Sequence, residues 1–439
     1  MSKLAYKHYM LGLLTIVAVF NYLDRTVLSL LLEPIKQDLE LSDSQLGLLT
    51  GFAFALFYAV AGIPIARWAD RGNRNTVVAS TTALWSIMVV FCGLVGNFTQ
   101  LLLVRVGVAV GEAGCVPPAQ SLIAEYFDRT ERPQAMAIYW LCYPISVIIG
   151  YLAGGWLSEV FGWRITFMVI GVPGILLAIL VKLTMHEPRV IQEKIIEAEQ
   201  PSFKEVLNTL WRQRSFRHIV AAFCVGNFFG TGIILWMPTY FIRSYGMETA
   251  ELGFWLAFSW GFCGLSGGLL GGFLATRYAA RKEALQIRMV AFAGVLLGLL
   301  FMLTYISSNK YVALTFLAIN SFLLTMSNGI IFSAIQSLVE IRMRAIAMAS
   351  IFFGANLIGL GLGPIGVGVL SDLLVPMFGQ ESLRYALVFF SPGFLWIAYH
   401  NWQAGDTIDA DIGKIEMGGE AAENSVSVEI DTEKLTNRV

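Results

Sequence analysis

The stretch Asn21-Tyr22-Leu23-Asp24-Arg25 sets two opposite charges side by side inside an apolar run from about Met10 to Leu32. At such depth in a bilayer a charge costs roughly 2.5–3.5 kcal/mol on insertion scales. It persists where it faces protein or water, with a partner. The rest of the chain argues that the run does span a membrane. Of 439 residues 56% are hydrophobic and 14% charged, and the mean hydropathy is +0.66. Soluble domains carry about 25% charged residues. So much apolar surface cannot be buried in a water-soluble core, and the chain reads as an all-α polytopic membrane protein.

Twelve apolar stretches are long enough to cross. Their limits are near 10–32, 45–66, 76–96, 98–124, 134–157, 163–184, 218–242, 251–274, 286–306, 311–336, 345–370 and 383–400. Four segments follow: a six-helix bundle over 1–185, an amphipathic linker over 186–217, a second six-helix bundle over 218–401, and an acidic tail over 402–439. The linker is expected on the membrane surface and the tail disordered. The first apolar stretch has no small-residue cleavage site, so no removable signal is expected. Basic residues gather on one side: Lys3, Lys7, Arg67, Arg71, Arg74, Arg129, Arg132, the linker, Arg277, Arg281, Lys282 and Arg288. By the positive-inside rule both termini are expected in the cytoplasm, with the chain in the inner (plasma) membrane.

The halves repeat. Ala66-Arg67-Trp68-Ala69-Asp70-Arg71 has a weaker counterpart at Gly272-Phe273-Leu274-Ala275-Thr276-Arg277. Pro133-Gln134-Ala135-Met136-Ala137 answers to Arg344-Ala345-Ile346-Ala347-Met348-Ala349. The fifth stretch ends in Ser158-Glu159 and the eleventh in Ser371-Asp372. The offsets are all about 206–213 residues. Duplicated six-helix halves predict alternating access around a central cavity.

Arg105 and Glu112 lie two turns apart and so share a face of the fourth helix. Asp24 sits about 13 Å below the outer end of its helix and Arg105 about 10 Å below its own. The depths match, so the two are expected to meet inside the first half, with Glu112 about two turns deeper. A buried carboxylate beside a cation works as a proton switch, because opening to one side changes both its hydration and its neighbour. Asp24 and Glu112 are the expected proton-coupling groups. When Asp24 is protonated, Arg105 is free for an anionic head group, which a guanidinium grips with a fixed fork of donors. Arg25 points about 100° away from Asp24 and serves either the substrate or Glu112. Asn21 and Tyr22 complete the candidate site. Asp70, Arg71 and Arg74 are candidate gating residues, Asp70 standing where it can bond the start of a neighbouring helix.

The spans of the second half are notably short of charge and carry Asn227, Phe228, Phe229, Trp236, Asn320, Ser321, Asn328, Gln336 and Asn356. One charged wall and one aromatic, weakly polar wall suit an anionic amphiphile. The five cysteines are scattered singly and the four histidines fall at segment ends. No metal set, disulfide framework or catalytic cluster is visible, which speaks against an enzyme. The internal repeat suffices for one pathway within one chain, which speaks against a channel built as an oligomer. A net charge of −1 suggests no nucleic-acid partner. The expected partners are the bilayer and a small amphiphilic or anionic substrate, with protons as coupling ion, no other cofactor, and the chain a monomer.

The loop Asp70-Arg71 with Arg74 resembles the signature of the major facilitator superfamily, although Ala66 and Asn73 stand where the family has Gly. Asn21-Tyr22-Leu23-Asp24-Arg25, Arg105 to Ala113, Tyr143-Pro144 and Gly162-Trp163-Arg164 resemble its Spinster branch, in a bacterial member. The resemblance implies a twelve-helix fold and proton-linked transport of lysolipids or sphingoid phosphates. It implies Asp24 as the proton-responsive group, Arg105 as its partner and Glu112 as a cavity carboxylate. The same charged pattern is similar to that of organic anion:proton symporters, so sugar acids are the alternative substrate.

Overall fold

In lipid no water is available to satisfy a free amide or carbonyl, so a spanning segment must bond its backbone within itself. The computed structural model describes residues 3–128, 130–187, 203–278, 282–339 and 343–413, and among these the regular structure is helical throughout, without a strand. Among the described residues twelve helices are assigned as spans. They are α1 (Lys3–Leu39), α2 (Asp43–Ala69), α3 (Arg74–Cys92), α4 (Phe98–Tyr126), α5 (142–161), α6 (163–184), α7 (Arg214–Tyr245), α8 (Thr249–Leu274), α9 (Glu283–Ile306), α10 (Lys310–Ser337), α11 (344–378) and α12 (382–405). Helices α5 and α6 are parted only at Gly162, whose φ of 79° favours a residue without a Cβ. The 37 residues of α1 reach about 55 Å at 1.5 Å each, beyond a hydrocarbon layer of about 30 Å. Helix α4 breaks after Glu112, and its second piece starts at Val116 with Pro117 and Pro118 in the first turn, where proline removes no needed donor.

In the first half α1 packs on α5, and α3 on α4 and α6. In the second, α7 packs on α12, α8 on α10, and α9 on α10 and α12. The halves meet along α2 with α11, α5 with α8, and α1 with α7. Three π-helical turns lie on these seam helices, at Leu48–Phe52 in α2, Ala257–Cys263 in α8 and Asn356–Leu362 in α11. Small residues bring the backbones together there. A Cβ on Gly51 would stand 2.7 Å from the Gly361 carbonyl oxygen, whereas one on Gly62, further along α2, would meet nothing within 4 Å. Gly51→Val is therefore expected to lower the melting temperature of the purified protein through about 1–3 kcal/mol of overpacking. Gly62→Val should leave it nearly unchanged.

Two expectations change. On the linker helix Phe203–Arg212, Val206 and Leu210 are buried against Phe216 and Ile219, so this part of its apolar side is met by protein, while Trp211 stays exposed. The described part of the tail, residues 402–413, is largely helical. Asp411 accepts hydrogen bonds from the Ser215 amide at 3.0 Å and its hydroxyl at 2.7 Å, and Asp409 from the Ala284 amide at 3.2 Å. Asp406 pairs with Arg288 at 2.9 Å. The acidity read as a sign of disorder instead supplies caps to the free amides that start α7 and α9. Residues 188–202 and 414–439 lie outside the described residues.

Candidate functional site

Consecutive residues on α1 point about 100° apart, so Asp24 and Arg25 take different partners on α4. Arg105 Nη1 donates to Asp24 Oδ2 at 2.7 Å. Asp24 is fully buried and Arg105 is 2% exposed. Arg25 Nε donates to Glu112 Oε2 at 2.6 Å, and Glu112 is fully buried. The four groups form one cluster of two cations and two carboxylates. Asp24 Oδ1 and Glu112 Oε1 accept no hydrogen bond, and Arg105 Nε and Asn21 Nδ2 donate none. Glu112 lies within electrostatic reach of Asp24 as well as of Arg25 and Arg105.

Arg25 also faces outward from the cluster. Its guanidinium lies over Phe54 at 4.5 Å, Tyr58 at 5.3 Å and Tyr22 at 5.6 Å. Such stacking holds the plane of the fork and leaves its edge free. Arg25 and Tyr22 line a cavity of about 460 Å³ between the halves, and Arg25 is the one charged residue among the described residues lining it. Arg105 and Asn21 are inside the first bundle and do not reach the cavity wall. On the far wall stand Asn227 and Thr231 of α7 and Thr325 and Ser327 of α10. Beyond them the cavity runs on between Val290 and Leu297 of α9, Ile331 of α10, and Phe394 and Ile397 of α12.

Among the gating candidates, Arg74 bonds within its own half, to Glu125 at 2.6 Å, Glu187 at 2.8 Å and Ser121 at 2.6 Å. It ties α3 to the end of α4 and the residues after α6. Arg71 is exposed, and the Asp70 side chain lies outside the described residues. Of the second-half residues singled out in the sequence, Asn227 lines the cavity. Trp236 Nε1 instead donates to the Pro364 carbonyl at 2.8 Å, and Asn320 Nδ2 bonds Thr304 at 3.5 Å, both buried. The Asn328 and Gln336 side chains lie outside the described residues. Sequence reasoning missed Tyr143, Tyr151 and Trp260 on the wall, although Tyr143 precedes a proline that was noticed. It also missed the contact of His218 with His400, 2.9 Å between Nδ1 atoms, since two segment ends 182 residues apart carry no common signal.

Known proteins share this architecture. An MFS-type efflux pump of Mycolicibacterium smegmatis is 34% identical over 384 residues, 86% of this chain and 87% of its own. A probable galactarate/D-glucarate transporter of Bacillus subtilis is 26% identical over 330 residues, 68% of this chain and 71% of its own. A sphingosine-1-phosphate transporter of Xenopus tropicalis is 25% identical over 389 residues, 85% of this chain and 75% of its own. The crystal structure of a bacterial homolog of the human lysosomal transporter Spinster, inward-facing and unoccupied, superposes with a TM-score of 0.82 at 28% identity, covering 92% of this chain and 98% of that one. Fold and relatives are those of transporters and not of enzymes. Residues 14–396 match the Major Facilitator Superfamily, and the chain belongs to that family.

Proposed function

We propose that the chain is a proton-coupled secondary transporter of an anionic amphiphile, such as a lysophospholipid or a sphingoid phosphate, working by alternating access. It would lie in the inner membrane with both termini cytoplasmic, as the basic residues argue. The observation that carries the reading is the two-sided cavity, with the Arg25 edge on one wall and an apolar passage between α7, α9, α10 and α12 on the other. An anionic head bonds the guanidinium edge. An acyl chain in the passage gains about 0.8 kcal/mol for each methylene removed from water.

The four-charge cluster supplies the coupling. With both carboxylates ionised its charges cancel. One proton taken up by Asp24 or Glu112 leaves a net positive cluster behind Arg25. Proton and anion then favour each other's binding, a reciprocal coupling. The similarity to a galactarate/D-glucarate transporter favours a second reading, symport of a sugar acid. Tyr22, Ser29, Tyr151 and Asn227 on the wall offer donors and acceptors to such a polyol, and it is the apolar passage that favours the amphiphile.

The test is uptake into proteoliposomes of a labelled lysophospholipid and, in parallel, of galactarate, each with and without a pH gradient. Gradient-dependent movement of the lysolipid is expected. Movement of galactarate alone would transfer the protein to the sugar-acid reading. Gly230 sharpens the choice. It lines the cavity, and a Cβ there meets nothing within 4 Å. Gly230→Phe should block the apolar passage and cut uptake of a long-chain lysolipid by roughly tenfold or more, while a short head-group analogue is spared.

A further inference from the structure

The function above makes no use of a set of acids at the end of the molecule away from its termini. Ser158-Glu159 closes α5 and Ser371-Asp372 lies near the end of α11, in equivalent places of the internal repeat. Each carboxylate reaches into the opposite half. Asp372 accepts from the Asp43 amide at 3.1 Å, the Ser44 amide at 2.8 Å and the Ser44 hydroxyl at 2.5 Å, all in the first turn of α2. Glu159 accepts from the Ala250 amide at 2.9 Å in the first turn of α8, where Thr249 Oγ1 donates to the Gly155 carbonyl at 3.0 Å. The first amides of a helix have no partner in the helix itself, so these bonds are made without breaking others.

A third tie lies between them. Arg243, at the end of α7, donates from Nη1 to Asp43 Oδ2 at 2.9 Å and from Nη2 to Asp43 Oδ1 at 3.0 Å. The same Nη2 donates to Glu33 Oε2 of α1 at 2.8 Å. Asp43 is fully buried and accepts further from Lys36 Nζ at 2.6 Å and Ser371 Oγ at 2.6 Å. A two-pronged, charge-assisted grip of this kind fixes orientation as well as distance.

We propose that Asp372, Glu159 and the Asp43–Arg243 pair are one latch, made twice by the repeat and pinned at its centre, that holds this end of the two halves shut. The contacts flank the seam on either side, α2 with α11 and α5 with α8. The cavity can open toward this end only when both part. The latch rests on the alternating-access reading, because it has work to do only if this end also opens.

The experiment uses the full-length protein in lipid nanodiscs with its cysteines intact. Dyes on unnatural amino acids at Leu94 and Ser308, exposed in the loops before α4 and before α10, report the separation of the halves by single-molecule energy transfer. The wild-type chain should sit mainly at the short separation. Arg243→Ala with Asp372→Asn should raise the long-separation population roughly tenfold, and Arg243→Lys, which keeps the charge, should raise it less. A combined variant that elutes and melts like wild type yet keeps the wild-type distribution overturns the latch. If the combined variant does not fold, Glu159→Gln carries the test, since that side chain is exposed and the change is isosteric. A rise of about threefold supports the latch and no rise overturns it. A wild-type chain fixed at one separation at every pH, with and without a lysophospholipid, while the variants open, would support the latch and overturn alternating access.

Discussion

Asp24→Asn is expected to bring proton-driven uptake to background while exchange of substrate across a membrane without a gradient continues. The amide keeps the shape of the carboxylic acid and still offers Arg105 an oxygen where Oδ2 now stands at 2.7 Å. It cannot take up or release a proton. The cluster is then held permanently in the state with one negative charge removed, which favours the anion and severs its link to pH. The folded state should lose only about 1–3 kcal/mol, the difference between a charge-assisted and a neutral hydrogen bond together with imperfect pairing. Initial rates measured with and without a pH gradient, beside counterflow at equal pH, separate the two steps. Gradient-driven uptake in Asp24→Asn with an unaltered pH profile would remove Asp24 from the coupling.

Arg105→Ala has the largest expected effect on stability. It leaves the Asp24 charge fully buried without its cation. Breaking a buried pair from one side costs about 3–5 kcal/mol, and removing both partners costs far less. A thermal melt should therefore show a large drop for Arg105→Ala and partial recovery for Arg105→Leu combined with Asp24→Leu, with transport absent from both. Equal melting of the single and double variants would mean that Asp24 is already protonated in the resting protein. Arg25 differs from Arg105 in this respect. Its side chain is 28% exposed, so water can soften the loss of its bond to Glu112.

The first half of the site was legible because its rules are local. A spacing of seven from Arg105 to Glu112 fixes a shared helix face, and counting residues from helix ends set Asp24 and Arg105 at one depth. Arg25 was left with two readings, and the structure accommodates both: one edge on Glu112, the other toward the cavity. The second half was less legible. Trp236 and Asn320 have the chemistry of a cavity wall but are used for packing, while Thr231, Thr325 and Ser327 look ordinary and face the cavity. Hydrophobic periodicity separates water-facing from buried positions in a soluble helix, but lipid and protein interior are both apolar here, so the side turned to the cavity leaves no mark. Ser158-Glu159 and Ser371-Asp372 were visible as repeats. Their shared reason, a carboxylate on the first amides of a helix in the other half, appears only when the halves are set together. Residues 402–413 were misread because acidic composition is common to disordered chains and to helix caps.

The caps have a topological consequence. Asp411 grips Ser215, so the second half ends where it began. In the first half Tyr6 bonds Thr184 at 3.1 Å and His186 at 3.0 Å, and Lys7 bonds Glu131 at 2.7 Å. Lys7 lies against that acid closely enough to hold the Glu131 carboxyl below its ordinary range. Each bundle is thus a noncovalent ring with a clasp, and the two clasps lie on the same side of the molecule. A ring does not unravel from a loose end, so each half resists fraying as a unit.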